Sequence, residues 1–469
     1  MALRITNTLS REKEEFTPLK EKKVSFYQCG PTVYWVQQIG NLRAMLLSDL
    51  IVRSLKYLGY SVTFVRNYTD VGHLTGDNFG NADLGEDRME KASRKENLSP
   101  TEVAEKYIKI FEEDISLLNI VPPDHKPRAT EYISEIVDMV ETLLNKGFAY
   151  KKEKAIYFDV SKVKNYTKLS GQKIEENKIG AGFGDVVDIE KKNPQDFAIW
   201  FFKTGIHKNA LQTWQTPWGE GFPGWHIECS VMVKKILGET IDIHMGGVEH
   251  IPIHHTNEIA QSESANDKRF VRYWLHNEHL VVDNKKMGKS EENAYMLSDV
   301  LERKFNPLAL RYFFLQAHYR SKQNFTWESL KASENALNNL VDKLLNYEQA
   351  KPTKLVDGYI EKFKVYLEDD FNVPSALALL WDITKSDLSE GDKIFLAFEF
   401  DKVFGLDIKE IIQSRKSIEI PEEIRILSEQ RQKAKLSKDY DKADKLRQKI
   451  EEKGYIIRDA QNSSQILPK

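Results

Sequence analysis

From Val24 to Gly72 the hydrophobic and polar positions switch between two periods. Val24-Ser25-Phe26-Tyr27 and Ser61-Val62-Thr63-Phe64-Val65 read as short strands, and the stretch from Leu42 to Leu58 between them reads as a helix. A strand, helix and strand in that order form a βαβ unit, which implies a parallel sheet with its ligand crevice at the carboxyl ends of the strands. From Thr101 to Tyr150 the period is helical, with Ile108, Phe111, Ile115 and Leu118 on one stripe and Ile133, Ile136, Val140 and Leu143 on the next. Ala155 to Val160 opens a β-rich stretch that runs to Trp214 and Trp218. Residues 121–224 are therefore expected to be inserted between two halves of one nucleotide-binding domain. The second half resumes at Trp225, with strands at Glu239 to His244 and Leu280 to Asp283.

After Asn306-Pro307 the pattern turns helical and stays so, through Leu308 to Ala317, Trp327 to Asn346 and Pro374 to Ile383. Lys409 to Ile420, polar and ending at Pro421, reads as a linker. Beyond it Leu436, Tyr440, Ala443, Leu446 and Ile450 form an apolar stripe at helical spacing. Residues 425–453 carry ten Lys or Arg against six Asp or Glu, which fits either a solvated helix face or a surface for nucleic acid.

Composition narrows the class. A chain of 469 residues with 41% hydrophobic and 30% charged residues is of ordinary globular make-up and long enough for several domains. No apolar run is long enough to span a bilayer, so no membrane partner is expected. The net charge of −3 gives no global attraction to a polyanion, so contact with one depends on local basic patches. With only two cysteines and no secretory signal at Met1-Ala2-Leu3-Arg4, a cytoplasmic location is expected.

The two cysteines, Cys29 and Cys229, lie far apart, and His254-His255-Thr256-Asn257-Glu258 follows the second. Two thiols, an imidazole and a carboxylate make a complete zinc donor set, and His254 and Glu258 share a face if they lie on a helix. The same two cysteines are also compatible with core packing or with a disulfide. Gln38-Ile39-Gly40-Asn41 stands between the first strand and its helix, where Gly40 permits close backbone approach and the helix N-terminus favours an anion. Lys285-Lys286-Met287-Gly288-Lys289-Ser290 follows a predicted strand; its lysines suit a transferring phosphoryl group, or simply solvent.

Taken together, these segments resemble the class I aminoacyl-tRNA synthetases, and among them the cysteinyl-tRNA synthetases. The resemblance runs through Asn7-Thr8-Leu9, Arg11 to Phe16, Tyr27 to Tyr34, Val65 to Asp70 and Pro127 to Thr130. Gly224 to Ser230, His254 to Ala260 and Asp370-Phe371-Asn372-Val373-Pro374 continue it. It implies a Rossmann-like α/β catalytic domain with an inserted domain, followed by helical tRNA-binding domains. In residue numbers, 1–120 and 225–305 would be the catalytic halves and 121–224 the insertion. Residues 306–410 would form a helical stem-contact region and 421–469 an anticodon-binding domain.

The resemblance further implies ligation of L-cysteine to tRNA(Cys) through a cysteinyl-adenylate, with ATP and Mg2+ as substrate, by a cytoplasmic monomer. The zinc ligands would be Cys29, Cys229, His254 and Glu258, with the metal recognising the substrate thiolate and His255 standing behind them. Gln38-Ile39-Gly40-Asn41 occupies the HIGH signature and Lys286-Met287-Gly288-Lys289-Ser290 the KMSKS signature, making Lys286, Lys289, Gln38 and Asn41 the catalytic group. Gly40, Gly246, Gly247, Glu249 and Lys289 would bind ATP. Thr32, Thr69 and Trp225 would line the cysteine pocket.

This chain departs from the family pattern in three places. Gln38 and Asn41 replace the signature histidines, so neither position carries positive charge, although both amides can donate to phosphate oxygen. Gly288 replaces the first signature serine. The closing Gly-Thr-x-Trp is absent from the C-terminus, which puts a base-stacking platform there in doubt. Two other readings follow from these features: a ligase passing cysteine to a small-molecule amine such as an amino sugar, and a catalytically weakened paralogue.

Overall fold

The computed structural model describes residues 2–74, 85–171, 190–288, 293–417, 420–459 and 464–468. The chain divides into two compact units: residues 1–331 with 364–376, and residues 332–363 with 377–469.

The first unit opens with an antiparallel hairpin, β1 (Arg4–Asn7) and β2 (Glu12–Glu15). A four-stranded parallel sheet then forms from β3 (Lys23–Gln28), β4 (Ser61–Arg66), β10 (Ile241–Gly247) and β11 (Val271–Asn277), in the order β11-β10-β3-β4. Helix α1 (Ile39–Tyr57) makes the first crossover, starting three residues earlier than its apolar period indicates, and buries Leu42, Leu46, Leu50 and Leu55. Covering helices bury both faces of the sheet, so its central strands lose the alternation of exposed strands; all seven residues of β10 are buried. Helix α2 (Arg88–Glu96) is capped by Asp87. Helix α3 (Pro100–Leu117) starts at a reciprocal Ser99/Glu102 capping box with proline in its first turn.

The inserted segment supplies helix α4 (Ile133–Asn145) and five antiparallel strands. These are β5 (Ala149–Lys151), β6 (Ala155–Phe158), β7 (Phe197–Phe202), β8 (Trp214–Thr216) and β9 (Gly219–Pro223), ordered β5-β6-β7-β9-β8. The chain returns through α5 (Trp225–Ile236) to β10, and through α6 (His254–Asn266) to β11.

The strand expected at Leu280 is present: β12 (Leu280–Val282) pairs with β13 (Lys285–Lys286) and β14 (Gln323–Phe325) in a sheet separate from the parallel one. The edge of the parallel sheet is Val271–Asn277, a segment the alternation does not reveal because six of its seven residues are buried, His276 and Asn277 among them. Helix α7 (Leu297–Glu302) and α8 (Pro307–Leu315) follow. Arg311 of α8 donates to Asp49 of α1 at 2.5 Å, with both side chains fully buried.

Among its described residues the second unit is helical apart from a terminal hairpin, Tyr455–Asp459 with Ser464–Pro468. Phe363 stacks on Phe400 in its core, with ring centroids 3.9 Å apart. Two corrections fall here. The expected linker, Lys409 to Ile420, lies largely within a helix, Ile408–Ser417, held by buried Ile408 and Ile412 and by Arg415 donating to Asp342 and Asn338. In the expected apolar stripe Ala443, Leu446 and Ile450 are buried, while Leu436 is 78% and Tyr440 61% exposed, where the two helices Glu422–Leu436 and Tyr440–Glu452 meet.

Candidate metal centre and nucleotide site

The carboxyl ends of all four parallel strands converge. Cys29 follows β3, Asn67 and Thr69 follow β4, His244 to Gly247 end β10, and His276 ends β11. Helices α5 and α6 begin above these ends and bring Cys229, His254 and Glu258 to Cys29. One ligand atom from each of the four lies within 4.8 Å of the others, and all four residues are buried.

The two thiols are free, with sulfurs 4.0 Å apart, so no disulfide joins them. Cys29 Sγ is 3.7 Å from Glu258 Oε1. His254 Nε2 stands 2.9 Å from the same oxygen, and among the described residues it makes no well-formed hydrogen bond. This is a fit for a cation: four convergent donors of zinc's preferred kinds on backbone already in place.

The electrostatics agree. Burial works against the Glu258 carboxyl, but His244 and His254 overcome it and hold the group well below the usual carboxylate range. The hydrogen bond from Cys29 brings the Cys229 thiol down to about 6, and burial pushes the Cys29 thiol up. Burial opposes charge on His254, yet Glu258 and Cys229 raise it to about 10. Anionic donors thus draw positive charge to the middle of a dry site.

A second donor set, Cys29, His244, His255 and Glu258, overlaps the first. Its imidazoles are already engaged: His244 Nε2 meets Glu258 Oε2 at 2.9 Å, His255 Nε2 lies 3.3 Å from Cys29 Sγ, and His255 Nδ1 lies 2.7 Å from His276 Nε2. His276 Nδ1 in turn faces Thr8 Oγ1 at 2.8 Å. These histidines orient the first set, as partners behind metal ligands commonly do. Gly246 makes the packing possible, since a Cβ there would come 2.5 Å from His255 Cε1.

Above the cluster, Trp225 stacks on His254 and His73, with ring centroids 4.1 Å apart in each case. Thr32 pairs with Thr69 across the adjoining loops, and its hydroxyl is 2.6 Å from His73 Nδ1. The structure therefore brings Thr32, Thr69 and Trp225 to the four-residue cluster. Asn67 braces the floor: its Oδ1 accepts from Gly30 N at 2.9 Å, and its Nδ2 donates to Thr69 Oγ1 at 3.2 Å.

Gln38 is the N-cap of α1, and its side chain makes no capping bond. Asn41 Nδ2 donates to Gln37 Oε1 at 2.7 Å, so only part of that amide's donor capacity remains for a phosphate. Asp283 and Asn284, with φ of 48° and 62°, make the two-residue turn that carries Lys285 and Lys286 into β13. Lys286 is exposed. A Cβ on Gly40 would lie 3.7 Å from the Met287 Sδ, which puts the two signature segments side by side. Asn293 bridges the base of the lysine loop, accepting from Gly288 N at 2.9 Å and donating to Lys286 O at 3.1 Å. Lys289 and Ser290 lie outside the described residues. Glu249 is exposed near the end of β10, its carboxylate 3.7 Å from His279 Nε2.

Sequence reasoning missed His73, His226, His244, His276, Asn67 and Gln37. A lone histidine in a strand or loop has no spacing that marks it. His226 Nδ1, one residue past Trp225, faces His254 Nδ1 at 3.0 Å and is legible only once the helices are placed.

Comparison with known proteins gives one family. The class I (C) tRNA synthetase catalytic domain matches residues 15–335. Cysteine–tRNA ligase of Treponema denticola is 40% identical, with 98% of each chain covered. Cysteine–tRNA ligase 1 of Burkholderia lata is 38% identical over 100% of this chain and 97% of the relative. Among solved structures, the leucyl-tRNA synthetase of Agrobacterium radiobacter in a ternary complex has a TM-score of 0.61 at 11% identity, with 86% of each chain covered. Methionyl-tRNA synthetase of Mycobacterium tuberculosis bound by methionyl-adenylate has a TM-score of 0.55 at 14% identity, covering 83% of this chain and 90% of that one. These last two share the fold.

Proposed function

The chain belongs to the cysteinyl-tRNA synthetases of class I, and on that premise we propose that it selects its amino acid at a zinc ion held by Cys29, Cys229, His254 and Glu258 while it ligates L-cysteine to tRNA(Cys) with ATP. The observation that carries the selection mechanism is the convergence of those four buried donors beneath Thr32, Thr69 and Trp225. Bound there, zinc supplies a soft Lewis-acid position that a thiolate fills well and a serine hydroxyl poorly. An apolar pocket separates two such similar side chains by only about 1–3 kcal/mol, so a site built on sulfur ligation reaches selectivity without an editing step.

The chain's own residues do the rest. Trp225, fixed between two imidazoles, closes one wall over the amino acid, and the Thr32 and Thr69 loops form another. The cysteine carboxylate attacks the α-phosphorus of ATP, forming the mixed anhydride and releasing pyrophosphate, which carries its Mg2+. Charge developing on the phosphoryl oxygens meets the N-terminus of α1, the amides of Gln38 and Asn41, and the ammonium groups of Lys286 and Lys289. Gly40, Gly246 and Gly247 offer their backbone to the nucleotide, and Glu249 accepts a ribose hydroxyl. The cysteinyl group then passes to the terminal ribose of the tRNA, releasing AMP. Exposed Tyr440 and the lysines around it, in the second unit, face the tRNA. The reaction needs one chain, in the cytoplasm.

The test is amino-acid-dependent ATP–pyrophosphate exchange with cysteine or serine supplied alone, for the native protein and for Cys229→Ser. The native protein is expected to contain about one zinc per chain and to reject serine. The variant is expected to lose zinc together with its preference. Retained preference in a zinc-free variant would overturn the reading.

A further inference from the structure

The departure at the HIGH-like segment leaves a physical problem that the neighbouring residue solves. An imidazole is a rigid ring, but an exposed asparagine amide has a broad torsion about its last bond and points where its surroundings direct it. Asn41 is exposed in the first turn of α1. Gln37, just outside that turn, is 8% exposed. The Gln37 Nε2 amine donates to Trp35 O at 3.1 Å and to Thr32 O at 3.4 Å. Both of its N–H groups are thereby committed to carbonyls, which fixes which end of the amide is oxygen. That oxygen accepts from Asn41 Nδ2 at 2.7 Å.

We infer that Gln37 is a positioning residue for adenylation, holding the Asn41 amide so that its second N–H is aimed at the ATP phosphates. This rests on the reading that Asn41 contacts the nucleotide. One N–H of Asn41 is occupied by Gln37 and the other is left in a fixed plane, so the amide is oriented before the transition state forms. A donor already in place costs no reorganisation when charge develops. Two amides, one buried and one exposed, thus supply the directed N–H that a signature imidazole would present. The Thr32 and Trp35 carbonyls that anchor Gln37 belong to the loop carrying the proposed amino-acid wall. That connection gives a rival, purely structural role: Gln37 could serve only to hold that loop.

The two roles separate in a double-variant cycle on ATP–pyrophosphate exchange with the full chain. Gln37→Ala is expected to lower kcat on the order of tenfold, with KM for cysteine unchanged within about twofold. In the Asn41→Ala background, adding Gln37→Ala is expected to cost nothing further, because the group it orients is gone. Gln37→Met, close in shape but unable to accept from Asn41, is the second variant and should behave as Gln37→Ala does. Losses that multiply in the double variant, or a loss confined to KM for cysteine, would overturn the proposal and leave Gln37 a loop anchor. If Asn41→Ala alone leaves adenylation unchanged, the nucleotide role of Asn41 falls, and this proposal with it. If Asn41→Ala is slow while Gln37 variants are fully active, only the positioning role fails.

Discussion

Asp87 offers a quantitative test of the electrostatics beside the proposed amino-acid pocket. Its Oδ1 caps α2, accepting from Met89 N at 2.8 Å and Glu90 N at 3.0 Å, while Arg88 N donates to His73 O directly below Trp225. The side chain is buried. Burial, helped by the nearby Glu90 carboxylate, pushes the carboxyl from 3.8 up to about 7 against the pull of its backbone donors. The native state therefore keeps a proton that the unfolded chain has already released. Stability contributed by the neutral acid is present below pH 4 and is lost as pH rises from about 4 to 7, after which the loss is complete. A shift of roughly three units corresponds to about 4 kcal/mol, the difference between the neutral and charged group in place.

Asp87→Asn keeps the capping oxygen, and asparagine caps as well as aspartate does, but it carries no charge to bury. The variant should match the native protein near pH 4 and exceed it increasingly up to pH 7, with a constant margin of up to about 4 kcal/mol at pH 8. A two-unit chain need not unfold in one step, so a local readout is preferable. Hydrogen exchange of the amides of residues 88–96, each protein compared at the same pH, reports the opening of α2 itself. Slower exchange in Asp87→Asn at pH 8, with little difference at pH 3.5, is expected. Equal protection at both pH values would refute the burial argument.

Three other outcomes follow. His244→Ala removes the hydrogen bond to Glu258 Oε2 and should weaken zinc binding by about 10- to 100-fold in competition with a chromophoric chelator; unchanged affinity would mean that His244 is only packing. Gln38→His restores a group able to carry charge at the α1 N-terminus and should raise the adenylation rate; an equal or lower rate would show that the amide already suffices. Arg311→Met leaves the buried Asp49 with Arg53 as its remaining ionic partner and should destabilise the first unit by about 3–5 kcal/mol, read as a lowered denaturation midpoint.

The βαβ start of the domain was legible because β3, α1 and β4 are continuous periodic segments. β11 was not, because a strand buried on both faces loses its alternation, and this one ends in His276 and Asn277 facing the site. The helix at Ile408–Ser417 was read as a linker because its polar residues find partners far away in sequence, Arg415 with Asp342 above all. His254 and Glu258 announce themselves by helical spacing. Cys29 and Cys229, 200 positions apart, meet only through the sheet. The family resemblance supplied that pairing, whereas the surrounding histidines needed the fold. Leu436 and Tyr440 fitted an apolar stripe by spacing, yet the turn between their helices puts both into solvent.

The most direct test is cysteine-dependent charging of a tRNA bearing the cysteine anticodon, with ATP and magnesium, before and after a chelator strips the metal. Charging that disappears with the metal and returns with zinc is the predicted result. Charging that survives complete zinc removal would contradict the central claim, as would adenylate formation that never reaches the tRNA.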